Sequence, residues 1–72
     1  MAKLRILSGK DVCTILEKHG FSEVRQKGSH IIMQKALPCS TITVPVPNHN
    51  EIRSGTLHSI IRQSGIQRTE FE

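Results

Sequence analysis

Arg25-Gln26-Lys27-Gly28-Ser29-His30 brings two cations, a turn dipeptide and a histidine together in one short stretch. Histidine changes charge near neutral pH, so His30 can pass a proton as well as donate a hydrogen bond. A general acid–base group of this kind contributes about 10²–10⁴-fold to a rate. Arg25 and Lys27 supply the positive charge that a phosphodiester substrate would need beside it. The residues alone leave two readings open: His30 is an ordinary sheet residue, or it is a proton-transfer group on a polyanion-binding surface.

Other chemistries fit less well. Gly28-Ser29-His30 is not the GxSxG elbow of a serine hydrolase, and neighbours in an extended strand point to opposite faces. Ser29 is therefore read as a turn-shaping residue or a phosphate contact. His19, His30, His49, His58, Cys13 and Cys39 lack the paired spacing of zinc ligands, and no carboxylate pair suits two-metal phosphodiester chemistry. No metal and no cofactor are expected. Gly55-Thr56 at a helix start offers backbone N–H groups and a hydroxyl, which makes Thr56 a candidate phosphate or partner contact beside its plainer role as helix entry. Arg62 and Gln63, off the apolar face of the same helix, are candidates for RNA or a protein partner, with solvent exposure as the alternative.

Composition bounds what these residues can belong to. The chain has 72 residues, 36% of them hydrophobic, with two Phe and no Trp or Tyr. One small domain spanning residues 1–72 is expected, its core packed by Ile, Leu and Val. Two cysteines, Cys13 and Cys39, form neither a CxxC pair nor a disulfide framework. The apolar run Ile31-Ile32-Met33 falls far short of the roughly 18 residues of a membrane span. A cytoplasmic protein with free thiols and no membrane partner is the expectation. The formal charge is +4, and it is uneven. Lys3, Arg5, Lys10, Lys18, Arg25, Lys27 and Lys35 face only Asp11, Glu17 and Glu23 in residues 1–35, whereas residues 36–72 are balanced. A basic half suits a polyanion without identifying one.

The elements that must position these groups are legible in outline. Ser8 can cap a helix with Asp11 three residues on, Leu7 can staple against Val12, and Val12, Ile15 and Leu16 share one face. Gly20 ends it, after Lys18 and His19 near the negative end of the helix dipole. Glu23 to Lys27 alternates like a strand, Gly28-Ser29 is turn chemistry, and His30 to Gln34 is a second strand. Lys35 to Ser40 is a loop. Thr41 to Val46 is the clearest strand, with Pro45 and Pro47 expected to end it. A second helix starts near Ser54 or Gly55, carries Leu57, Ile60 and Ile61 on one face, and stops at Gly65. Thr69 to Glu72 adds a turn, with Phe71 covering the core.

Short connections between three strands imply an antiparallel meander, and two flanking helices on one face leave the other face free. The fold class is α+β in the order α-β-β-β-α. Alternation sends Ile42 and Val44 toward the helices and Thr41 and Thr43 away from them. In the first strand Val24 is expected inward, with Glu23, Arg25 and Lys27 outward. In the second, His30, Ile32 and Gln34 form the set assigned to the open face.

SGKDVCTILEKHGF, VRQKGSH, TITVPVP and GTLHSIIRQSGI, in this order and with short spacings, resemble the HicA-type toxins of bacterial and archaeal toxin–antitoxin modules. The resemblance runs from about Ile6 to Phe71. It implies a fold like a double-stranded-RNA-binding domain and an RNA-cleaving toxin whose GSH histidine, here His30, is tied to activity; with the missing metal-ligand spacings, the expected activity is that of an mRNA interferase, a ribosome-independent, metal-independent endoribonuclease. Arg25, Lys27, Gly28, Ser29 and Thr43 would line the RNA. It also implies a HicB-type antitoxin as partner, with no direct DNA contact outside that complex. Two positions depart from the family pattern: His58 stands where many members have Arg, and Pro47 where many have His, with His49 two residues later. The alternative function is a non-catalytic RNA-binding module of the same architecture, which reads shape and backbone.

Overall fold

The computed structural model describes residues 6–72; Lys3 and Arg5 of the basic half lie outside the described residues. The elements are α1 (Gly9–Lys18), β1 (Ser22–Lys27), β2 (His30–Ala36), β3 (Thr41–Pro47), α2 (Ser54–Ser64) and a 3-10 turn, Arg68–Phe71. The order is the expected α-β-β-β-α, in an α+β fold.

Helix α1 begins at a capping box. The Ser8 hydroxyl accepts from the Asp11 N–H at 3.1 Å, and the Asp11 carboxylate accepts from the Ser8 N–H at 3.1 Å. At its other end Gly20 takes φ +94°, which lets the Phe21 N–H return to the Leu16 carbonyl at 3.0 Å. Helix α2 has no side-chain cap at its start, and it ends on Gly65 at φ +73°.

The three strands form an antiparallel sheet in the order β1-β2-β3. Ile31, Met33, Val44 and Val46 line one face and are buried against Val12, Leu16, Leu57 and Ile60 of the two helices. Phe71 is fully buried in the same cluster, so the final turn closes the core as expected. Cross-strand partners share a face. On that rule Ile42, Val44 and Val46 point to the helices, while Thr41 and Thr43 point away.

Three expectations are corrected. Val24 does not turn into the core: a β-bulge falls between Glu23 and Arg25, and Val24 is 49% exposed. The extra residue reverses the alternation upstream of it, so Glu23 pairs with Met33 on the helix-facing side while Arg25 and Lys27 keep the open side. The second strand runs two residues past Gln34, to Ala36. Finally, Pro45 does not end β3, which runs through it and ends at Pro47. β3 is an edge strand, where a proline can stand with its missing N–H on the unpaired side.

Candidate nucleic-acid interface

Gly28 and Ser29 form a two-residue hairpin between the paired residues Lys27 and His30. Gly28 takes φ +60° and Ser29 stays at negative φ, the pattern of a type II′ turn with glycine at its first central position. Glycine is thus required at 28 by backbone shape, since a Cβ there would meet nothing within 4 Å. The tight turn fixes the register of β1 on β2. It makes Lys27 and His30 direct cross-strand neighbours, a relation that sets Cβ atoms about 4.5–5.5 Å apart.

Register carries this pairing across the sheet. On the face away from the helices, Lys27, His30 and Pro47 form one row and Arg25, Ile32 and Pro45 the next. Ser22, Gln34 and Thr43 follow, then Ala36 and Thr41. No strand residue of this face is acidic, because the bulge has moved Glu23 to the other side. Arg25, Lys27, His30, Thr41 and Thr43 are all exposed, and Gln34 donates to the Thr43 hydroxyl at 3.3 Å. The result is an open surface with cations and an imidazole at one end, apolar side chains in the middle, and amide and hydroxyl groups beyond. Such a surface matches a phosphodiester chain electrostatically.

The turn is also tethered from behind. The Asn48 N–H donates to the Ser29 carbonyl at 2.7 Å, and the Gly9 N–H donates to the His49 carbonyl at 2.8 Å. A Cβ on Gly9 would lie 2.2 Å from the Pro47 carbonyl oxygen, so α1 starts in direct contact with the end of β3. Helix α1, the loop 48–53 and the hairpin that carries His30 are therefore one connected unit. The sequence reading missed Gly9 and Asn48. Only the position of a glycine at the first helical residue, directly after the Ser8 cap, signals that close approach.

The remaining candidates lie elsewhere. Ser29 is exposed in the turn, and its backbone carbonyl makes the Asn48 bond. Thr56 is half-buried in the first turn of α2, and Arg62 is exposed on the same helix. Because α2 packs on the covered side of the sheet, neither joins the rows around His30. His19 caps α1 and meets Glu70 of the final turn at 3.2 Å; His49 and His58 are exposed on the loop and on α2. Among the described residues, no three His, Cys, Asp or Glu side chains gather where they could hold a metal ion. Cys13 is buried and Cys39 exposed, both as free thiols. Burial pushes the Cys13 thiol from its ordinary 9.0 up to about 11, and the nearby carboxylates of Glu23 and Glu17 push in the same direction. No helix among the described residues is long and apolar enough to cross a membrane.

An α-β-β-β-α sandwich with one sheet face covered by helices and the other uncovered and basic defines the class of this small α+β protein. Comparison with known families makes this particular. The model for the HicA toxin of bacterial toxin–antitoxin systems matches residues 9–66, most of the chain, and the chain belongs to that family. It is thus the toxin member of a toxin–antitoxin module. No curated protein matches it.

Proposed function

We propose that this toxin is a ribosome-independent endoribonuclease that cleaves mRNA on the uncovered sheet face, with His30 as its acid–base residue. The observation that carries this reading is the pairing of Lys27 with His30, with Arg25 in the adjoining row of the same acid-free surface. Family membership supports it, since the HicA family is one of RNA-cleaving toxins.

The chemistry needs little from the protein. A ribose 2′-OH attacks the adjacent phosphorus, the bond from phosphorus to the 5′ oxygen breaks, and the products are a 2′,3′-cyclic phosphate and a 5′-hydroxyl. The nucleophile belongs to the RNA, so the step does not require a metal-activated water. His30 moves a proton, taking it from the attacking hydroxyl or giving it to the departing oxygen. Lys27 and Arg25 bind the phosphate and offset the charge that builds on its oxygens. Gly28 and Ser29 hold the imidazole at the strand mouth, and Thr43 contacts the RNA farther along the face. A HicB-type antitoxin covering this face would silence the toxin by excluding substrate.

A second reading has one feature in its favour. Among the described residues no hydrogen bond orients the His30 ring, as a partner often does for a catalytic histidine. On that reading the chain binds RNA without cutting it. Purified protein incubated with RNA in EDTA separates the two. Strand scission that falls about 10²–10⁴-fold in His30→Ala is the expected result. Scission at an equal rate in the variant removes His30 from the chemistry, and salt-sensitive binding with no scission supports the binding module.

A further inference from the structure

Beyond the Lys27–His30 end, the open face has a second ordered feature. Ile32 and Pro45 are cross-strand partners at its centre, Ile32 half-buried and Pro45 exposed, with Arg25 beside them. In the following row Gln34 and Thr43 are partners, and the Gln34 Nε2–H donates to Thr43 Oγ1 at 3.3 Å. That bond spends one amide hydrogen and fixes the plane of the side chain. It leaves the Gln34 Oε1 acceptor, the second Gln34 N–H and the Thr43 hydroxyl proton for a ligand. Residues two apart on a strand are separated by about 6.7 Å, so the polar pair lies about 13 Å from the His30 row.

We propose that the Ile32–Pro45 step and the Gln34–Thr43 pair form a base-reading subsite that sets where this toxin cuts, with adenine as the base it prefers. The proposal rests on the nuclease reading above and adds its specificity. A nucleobase has an apolar π-face that packs on any flat apolar surface, whatever its sequence. Seated on Ile32 and Pro45, a base next to the scissile phosphate turns its edge toward Gln34. There an anchored amide presents an acceptor and a donor side by side. Adenine answers with its exocyclic amine and an adjacent ring nitrogen, the two-bond exchange typical of glutamine and adenine. The choice is made on the edge of the base that carries N7: guanine presents two acceptors there, and the pyrimidines have no ring nitrogen on that side. The absence of acidic side chains lets the backbone run past Arg25 and Lys27 while the base is read.

The test is cleavage-site mapping on RNA of random sequence, comparing the wild-type toxin with Gln34→Leu and Thr43→Val. The expected wild-type pattern is enrichment of adenine at one position beside the cut. In Gln34→Leu that enrichment falls about tenfold, the scale of one lost hydrogen bond. A wild-type pattern without adenine preference overturns the proposal, as does an unchanged preference in both variants, even if the variants bind antitoxin less tightly. Circular dichroism confirms that each variant is folded. Should the wild type cut no RNA, the nuclease reading falls and the subsite is decided by ¹⁵N NMR. A Gln34 side-chain amide that shifts more with oligoadenylate than with oligouridylate upholds it; equal or absent shifts overturn it.

Discussion

Cys13 and Cys39 put the same side chain into opposite surroundings. Cys13 lies against the core on α1, with its thiol pushed up to about 11 by burial and by the negative charge of Glu23 and Glu17; Cys39 is exposed in the turn between β2 and β3. A thiolate is the reactive form, so a thiol reagent near neutral pH is expected to label one cysteine per folded chain, Cys39, and both in denaturant. Mass spectrometry of the labelled protein checks this, and fast labelling of Cys13 in the folded state would contradict it. The same value makes a statement about stability. Because the folded-state value lies above the ordinary 9.0, the contribution is complete below about pH 9 and is lost as pH rises through about 11. Urea midpoints are expected to fall across that window in the wild type and to fall less in Cys13→Ala. The sequence points to Cys13 as a free thiol, and the structure adds that it is buried. The upward push from Glu23 was not legible, because Glu23 was assigned to the other side of the sheet.

That misassignment belongs to the scale of elements. Alternation reads a strand with a strict period of two, and Val24 looks like an inward residue between charged neighbours. The bulge adds one residue, and nothing in SEVRQK marks it, since β1 is an exposed edge strand with no buried residue to pin its phase. Downstream of the bulge the hairpin pins it instead, which is why Arg25, Lys27 and His30 were placed correctly on one face. The helices were legible because their ends carry chemistry: a capping box at Ser8 and positive-φ glycines at 20 and 65. What their sequences hide is how closely they approach other elements. Gly9 and Gly55 both stand in a first helical turn, yet an alanine Cβ would lie 2.2 Å from the Pro47 carbonyl oxygen at 9 and meet nothing within 4 Å at 55. Gly55→Ala is therefore expected to stabilise the protein by about 0.4–1 kcal/mol, through helix propensity and a less free unfolded chain. Gly9→Ala is expected to cost about 3 kcal/mol, because backbone must move to admit the methyl group. Denaturant melts of the two variants check the opposite signs. In Gly9→Ala, shifted amide resonances at Ser29 and His30 would report the tether through His49 and Asn48.

At the scale of the whole molecule, the fold separates two kinds of surface with the thickness of one sheet. One side is given to the core and both helices, and the other collects Arg25, Lys27 and His30 with no acidic strand residue among them. The net charge of +4 is a property of the chain, but the reading of the sheet as an RNA surface depends on where the cations stand. Counterion release tells position from total charge. For single-stranded nucleic acid the slope of log K against log salt steepens by about 0.7 for each phosphate a cation neutralises. Lys27→Gln and Arg25→Gln, measured in the His30→Ala background so that RNA survives the titration, are each expected to flatten the slope by about 0.7, and together by about 1.4. Lys18→Gln removes the same charge from the last turn of α1, behind the sheet, and should leave the slope within error of the parent. If all three substitutions flatten it alike, the toxin attracts RNA by net charge alone. The row of Lys27 and His30 would then have no special claim on the scissile phosphate.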